Sequence, residues 1–234
     1  MCHINKMFMH IYPGIFVGVL LLALPMDSAM AANNSQSLFV PSDSPYGKTF
    51  LDWAKEWWKW NFSLNGTTHP SMDPNPEKCT NQNQSSNVWF LPNFDSTQKP
   101  DYTFTCTVPQ GKAIIVGNLN QGESDYGITP GDNATREGAT AGQKGASLKV
   151  LLDGINQNYS LNDMRVTSDF FNLSFVKDNV AKGPEGTYKA MIDGYYIFLK
   201  PLSQGIHNLH FESEVTNNPG YNFAQKGNWK FIVK

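Results

Sequence analysis

Histidine is the side chain that trades protons most readily near neutral pH, and the chain has five, at positions 3, 10, 69, 207 and 210. The first two fall in an N-terminal segment that has the form of an export signal, so histidine chemistry rests on His69, His207 and His210. Side chains alternate between the faces of an extended strand. Ile206, Asn208 and His210 therefore share one side, and His207, Leu209 and Phe211 the other. Two histidines on opposite faces cannot hold one metal ion. His210 has Glu212 and Glu214 on its own face, the makings of an acid–base pair or of a mononuclear metal site completed by other strands. His207, flanked by Leu209 and Phe211, fits a buried ring satisfied by a hydrogen bond.

Carboxylates offer two further sites. Between residues 120 and 145 glycine recurs among Glu123, Asp125, Asp132 and Glu137, and a loop this long inside a domain is a place for function. Asp125 and Asp132 are its candidate ligand contacts, although their spacing matches no twelve-residue calcium loop. Asp52 and Glu56 stand one turn apart on a helix, where Lys55 and Lys59 neutralise them into a solvated charged face. Aromatic faces stack on sugars and apolar ligands, and Trp58 and Trp60 are the tryptophans nearest the edges of the helix they share. A nucleophile elbow, a phosphate loop, a dinucleotide fingerprint and a His-Glu-x-x-His helix are all missing from the sequence. Asn-x-Ser/Thr triplets stand at Asn33, Asn61, Asn65, Asn83, Asn133, Asn158 and Asn172; those at Asn65, Asn83 and Asn133 fall in loops and are the better glycan acceptors.

The elements that must position these groups follow from periodicity. Thr49 with Asp52 forms a capping box, and Phe50, Trp53, Ala54, Trp57 and Trp60 recur at helical spacing opposite a charged strip. The pattern predicts one amphipathic helix over about 48–61, lodged in a groove of the main body. Residues 32–45 form a lead-in that docks lightly, and 64–86 a polar loop running to Cys79. Beyond them lie short runs rich in β-branched and aromatic residues: 87–91, 102–108, 112–119, 147–153, 170–176, 188–192, 195–200, 206–215 and 228–233. Asp153-Gly154, Asp193-Gly194 and Pro109-Gln110-Gly111 mark turns between them. Many short strands with one helix imply a mostly-β domain, a β-sandwich or jelly roll with the Trp-rich helix packed against it.

Composition narrows the setting. The 234 residues suffice for one sizeable core. Only 16% of them are charged and the net charge is -2, which leaves no basic stripe for nucleic acid and a surface made largely of neutral polar groups. Lys6, an apolar stretch from Ile11 to Leu24 and the small residues ending at Ala31 predict a signal peptide over 1–31, with one secreted domain over 32–234. No later stretch reaches the length of a membrane-spanning helix. Removing the signal takes Cys2 with it and leaves Cys79 and Cys106, an even pair in an exported chain, whose natural state is a disulfide. Two isolated cysteines do not make a structural zinc set.

Trp53 with Trp57-Trp58-Lys59-Trp60, Cys79, Asn87-Val88-Trp89-Phe90-Leu91, Cys106-Thr107-Val108-Pro109 with Gly111-Lys112-Ala113, and Asp193-Gly194-Tyr195-Tyr196 before Gly205-Ile206-His207 resemble, in that order, a group of secreted microbial proteins. That group has a Trp-rich N-terminal helix, a cysteine pair, a β-rich body and no assigned activity. The resemblance implies one domain and a Cys79–Cys106 link, and it transfers no catalytic residue, cofactor or substrate. The expected function is a secreted, non-enzymatic β-sandwich that binds a ligand or envelope component through the glycine-rich loop and the helix edge, without a cofactor. One rival is a secreted hydrolase or metal-dependent enzyme built on His210 and Glu212 with the loop acids. Another is a structural surface component with an exposed sheet edge.

Overall fold

The computed structural model describes residues 37–72, 79, 82–85, 87–92, 103–124, 136–137, 139–140, 143, 145–216 and 223–234. These lie in a compact unit spanning 36–234; the predicted signal peptide falls outside the described residues. Thr49 caps the helix α1 (Phe50–Phe62) as the sequence predicts: its hydroxyl accepts from the Asp52 N–H, and the Asp52 carboxylate accepts from the Thr49 N–H. The hydrogen bond from Thr49 holds the Asp52 carboxyl below its ordinary pKa.

The strands are β1 (Val88–Leu91), β2 (Thr103–Val108), β3 (Ala113–Ser124), β4 (Ala146–Leu152), β5 (Ile155–Asn156), β6 (Arg165–Thr167), β7 (Phe171–Phe175), β8 (Gly186–Leu199), β9 (Gly205–Val215) and β10 (Phe223–Val233). They make two sheets. One runs β1-β3-β8-β6, with β7 also paired to β8, and the other β2-β10-β9-β4-β5. The fold is thus mostly β, with one Trp-rich helix.

Two cores explain the stacking. Between the sheets, Leu91, Ile114, Val116, Tyr195, Ile197 and Leu199 of the first meet Val108, Val150, Leu209, Phe211, Trp229 and Phe231 of the second. On the other side of the first sheet, Phe50, Trp53, Ala54, Trp57 and Trp60 of α1 cover Val88, Phe90, Ile115, Ile192, Tyr196 and Phe198. The middle of the first sheet is therefore dry on both faces, and residues 190–199 of β8 are buried without a break, whereas β7 and residues 186–189 of β8 alternate exposed positions with half-buried or buried ones. The second sheet keeps one wet face, as the alternating burial of β9 shows. Glycine is required at one core position: a methyl on Gly227 would run into the Phe211 ring that lies across it.

The disulfide is present. It ties Cys79, ahead of β1 in the first sheet, to Cys106 on β2 of the second, with both cysteines buried between the sheets.

Four expectations need correction. Asp193-Gly194 is no turn: β8 runs through it, with Gly194 paired to Asn120 on one side and Val166 on the other. What makes a buried aspartate tolerable there is Arg165, whose Nε and Nη2 reach the two carboxylate oxygens at 2.6 and 2.7 Å. Removing one partner of such a pair leaves a charge without water or counter-ion. Arg165→Met should destabilise by about 2 kcal/mol, moderated by the open side of the arginine, and chemical denaturation checks it. The glycine-rich segment expected to loop from residue 120 is strand as far as Ser124. The lead-in docks firmly instead of lightly: Leu38 is buried, Phe39 N–H donates to Phe198 O, and Lys200 N–H donates to Ser37 O. Trp60, offered with Trp58 as a possible ligand contact at the helix edge, is buried, and Gln82 O accepts its indole N–H at 2.9 Å.

Candidate functional site

The described histidines occupy three different settings. His210 stands on the wet face of the second sheet. Its Nδ1 lies 2.7 Å from Asn228 Oδ1 on β10, and its Nε2 lies 3.0 Å from Glu212 Oε1 along β9. Lys149 on β4 reaches the same Glu212 oxygen at 3.4 Å. These contacts, the histidine's first, hold the Glu212 carboxyl below its ordinary range. His210, Glu212, Lys149 and Asn228 form cross-strand pairs on an open sheet surface rather than the walls of a cleft. No group of three His, Cys, Asp or Glu able to hold a metal occurs among the described residues. Asp125 and Asp132, the loop partners expected for this pair, lie outside the described residues.

His69 lies between α1 and a short 3-10 turn (Pro70–Met72), with its ring 6.2 Å from that of Trp60. The backbone N–H of Ser71 donates to Nδ1 at 3.2 Å, so Nδ1 is the acceptor nitrogen and the Ser71 hydroxyl, 2.6 Å away, donates to it as well. The hydrogen then sits on Nε2, facing Asn61 Oδ1 at 3.1 Å. Burial pushes this ring down to about 4. The arrangement is a neutral, fully satisfied imidazole, only 1% exposed, so a substrate has no approach to it. Asn61, one of the Asn-x-Ser positions, spends its side chain in this contact.

His207 is different in kind. It projects toward the sandwich interior, as strand alternation predicts, but at the sheet's end, where its side chain keeps 15% of its surface in solvent. Nδ1 lies 2.7 Å from Asp153 Oδ2, in the turn joining β4 to β5, and Asn208 N–H donates to the other oxygen, Oδ1, at 2.7 Å. Nε2 lies 3.0 Å from Ser203 O and 3.2 Å from Ser203 Oγ. A ring with hydrogen on both nitrogens donates to Asp153 and to Ser203 O. A ring with hydrogen on Nδ1 alone still holds Asp153, gives up the bond to Ser203 O and turns a lone pair toward the Ser203 hydroxyl. The hydrogen bond expected of His207 is present, but the ring is not buried as expected, and it took the β4–β9 pairing to bring Asp153 beside it.

The helix tryptophans act chiefly as anchors. Besides Trp60, Trp53 Nε1 donates to Pro45 O at 2.8 Å and Trp57 Nε1 to Leu91 O at 2.6 Å. Trp58, the other tryptophan expected near the edge, is half-buried. Its Nε1 donates to the hydroxyl of Tyr196 at 2.6 Å, and its ring stacks on Phe62, which stacks in turn on Phe175 of β7. Burial drives the Tyr196 hydroxyl well above its ordinary pKa, so it remains protonated. Around this satellite core the rings of Trp58, Phe171 and Tyr188 stay half-buried, leaving an aromatic edge where α1 meets β7 and β8.

The loop acceptors differ as well. Asn65 Oδ1 accepts from the N–H of Thr67 at 2.9 Å and from its hydroxyl at 2.7 Å, which shapes the triplet into a tight turn. Asn83 is exposed, at a positive φ of 47°. Asn133 lies outside the described residues.

Neither a family model nor a curated protein matches the chain. Among solved structures, a cysteine protease inhibitor from Entamoeba histolytica is 9% identical, with 62% of this chain and 93% of that one covered, at a TM-score of 0.23. The solution structure of amebosin is 10% identical, with 64% of this chain and all of that one covered, also at a TM-score of 0.23. Likeness at that level carries no argument about function.

Proposed function

We propose that the chain is an exported, disulfide-linked β-sandwich that binds an extracellular or envelope partner through the aromatic edge formed by Trp58, Phe171 and Tyr188. The observation that supports this reading is the edge itself. Trp53, Trp57 and Trp60 are sealed into the core, whereas these three rings keep part of their surface in water, with the Lys55 ammonium 5.9 Å from the centre of the Phe171 ring. Flat apolar faces framed by polar groups suit stacking on a sugar ring or on an apolar side chain. The inter-sheet disulfide and the predicted signal peptide fit an oxidising compartment outside the cytoplasm.

Titration of the secreted protein with soluble envelope polysaccharides, followed by tryptophan fluorescence, tests the reading. Saturable quenching is expected in the wild type, with affinity reduced about tenfold or more in Trp58→Ala and in Phe171→Ser, each a loss of roughly 1.4 kcal/mol or more. Phe171→Ser removes a ring without touching the Trp58–Tyr196 bond, which separates lost binding from lost folding. Equal affinity in both folded variants would move the contact surface elsewhere.

A further inference from the structure

We propose that Ser203, His207 and Asp153 form a nucleophile, base and orienting group for hydrolysis of esters with an apolar acyl chain, at the end of the sandwich. Three observations meet there. The order of contacts is that of an activated serine: hydroxyl to Nε2 at 3.2 Å, and Nδ1 to carboxylate at 2.7 Å. The carboxylate is itself oriented, since its second oxygen accepts from Asn208 N–H. The set is also open to solvent: Ser203 is exposed and the Asp153 side chain is 41% exposed, in contrast with the sealed ring of His69.

The substrate class comes from the neighbouring strand. Leu152 pairs with both Ile155 and Leu209, which places Ile155 on the face shared by Leu209 and His207. Ile155 is 60% exposed, a large apolar side chain held in water beside a polar trio. An acyl chain that covers it would bring its carbonyl toward Ser203.

The step balances without a cofactor. With hydrogen on Nδ1 only, His207 accepts the Ser203 proton at Nε2 as Oγ bonds to the ester carbonyl carbon. The C–O bond to the alcohol then breaks, and the alcohol leaves with that proton. Water, deprotonated by the same nitrogen, attacks the acyl-serine, releases the carboxylic acid and restores Ser203. Ser203 and His207 are catalytic residues in this scheme, and Asp153 is a positioning residue. Hydrolysis here adds to the binding reading and departs from the expected non-enzymatic one. It also moves the enzyme reading from His210 to His207.

The test uses the secreted, disulfide-intact chain with p-nitrophenyl butyrate and an alkyl fluorophosphonate. The wild type should turn over the ester and carry the phosphonate mass on Ser203. Ser203→Ala keeps the backbone carbonyl that His207 contacts, so it should retain its unfolding midpoint while losing both label and turnover. Asp153→Asn should lower kcat by about 100-fold or more with little change in KM, a split that mere loosening of the turn would not produce. Turnover that survives Ser203→Ala, label on another residue, or a wild type that neither hydrolyses the ester nor takes the label would overturn the proposal.

Discussion

Replacing Cys79 and Cys106 together with alanine should lower the unfolding midpoint by about 10 °C. The bond closes a loop with a sequence separation of 27, and in the chain-entropy model its loss frees the unfolded chain by about 3.5 kcal/mol. For a domain of this size each kcal/mol moves the midpoint by about 2–4 °C. The placement adds to the expectation, because this covalent link ties the first sheet's side to β2, an edge strand whose only strand partner among the described residues is β10. Calorimetry with and without reductant is the check. The wild type should fall to the variant's midpoint when reduced, and the variant should ignore reductant. A wild-type midpoint indifferent to reductant would show that the staple contributes little.

Acid should loosen the fold through His69. Burial holds its pKa at about 4 in the folded chain, against the ordinary 6.5 of an exposed imidazole in the unfolded one. Between those values the unfolded state takes up a proton that the folded state refuses. The stabilising contribution is therefore complete above pH 6.5 and is lost as pH falls through 4, a drop of about 3 kcal/mol from this residue alone. His69→Gln, neutral at every pH, should flatten the stability profile across that window in denaturant titrations at a series of pH values. A profile as steep in the variant as in the wild type would assign the acid sensitivity to other groups. Asp52 titrates in the same direction but lower, since its folded pKa is depressed and its contribution fades only as carboxylates protonate.

The helix was legible because its evidence is local: a capping pair three residues apart and tryptophans at 3.6-residue spacing are visible without knowing what they touch. The opposite faces of His207 and His210 were legible for the same reason. Asp193 was not, since an Asp-Gly pair reads as a turn wherever the chain near it offers no counter-ion, and here the counter-ion stands 28 residues earlier on β6. Nor was Trp60, whose cover comes from Gln82, 22 residues along a segment without periodicity. Asp153 meets His207 across 54 residues, a distance closed only by sheet register. β5 and β6, two and three residues long, are too short to show any period.

The last strand sits inside its sheet. β10 lies between β2 and β9, with Val233, the residue before the C-terminal lysine, opposite Val108 on one side and Gly205 on the other. A chain that emerges from its N-terminus first must hold β2 without its β10 partner until β10 has been made, so the second sheet closes late. Long-range closure of this kind is slow and leaves a bare strand edge exposed to neighbouring chains. Folding should therefore begin with α1 and the first sheet and end with insertion of β10, and a deletion that removes Asn228–Val233 would strand β2 as a sticky flap.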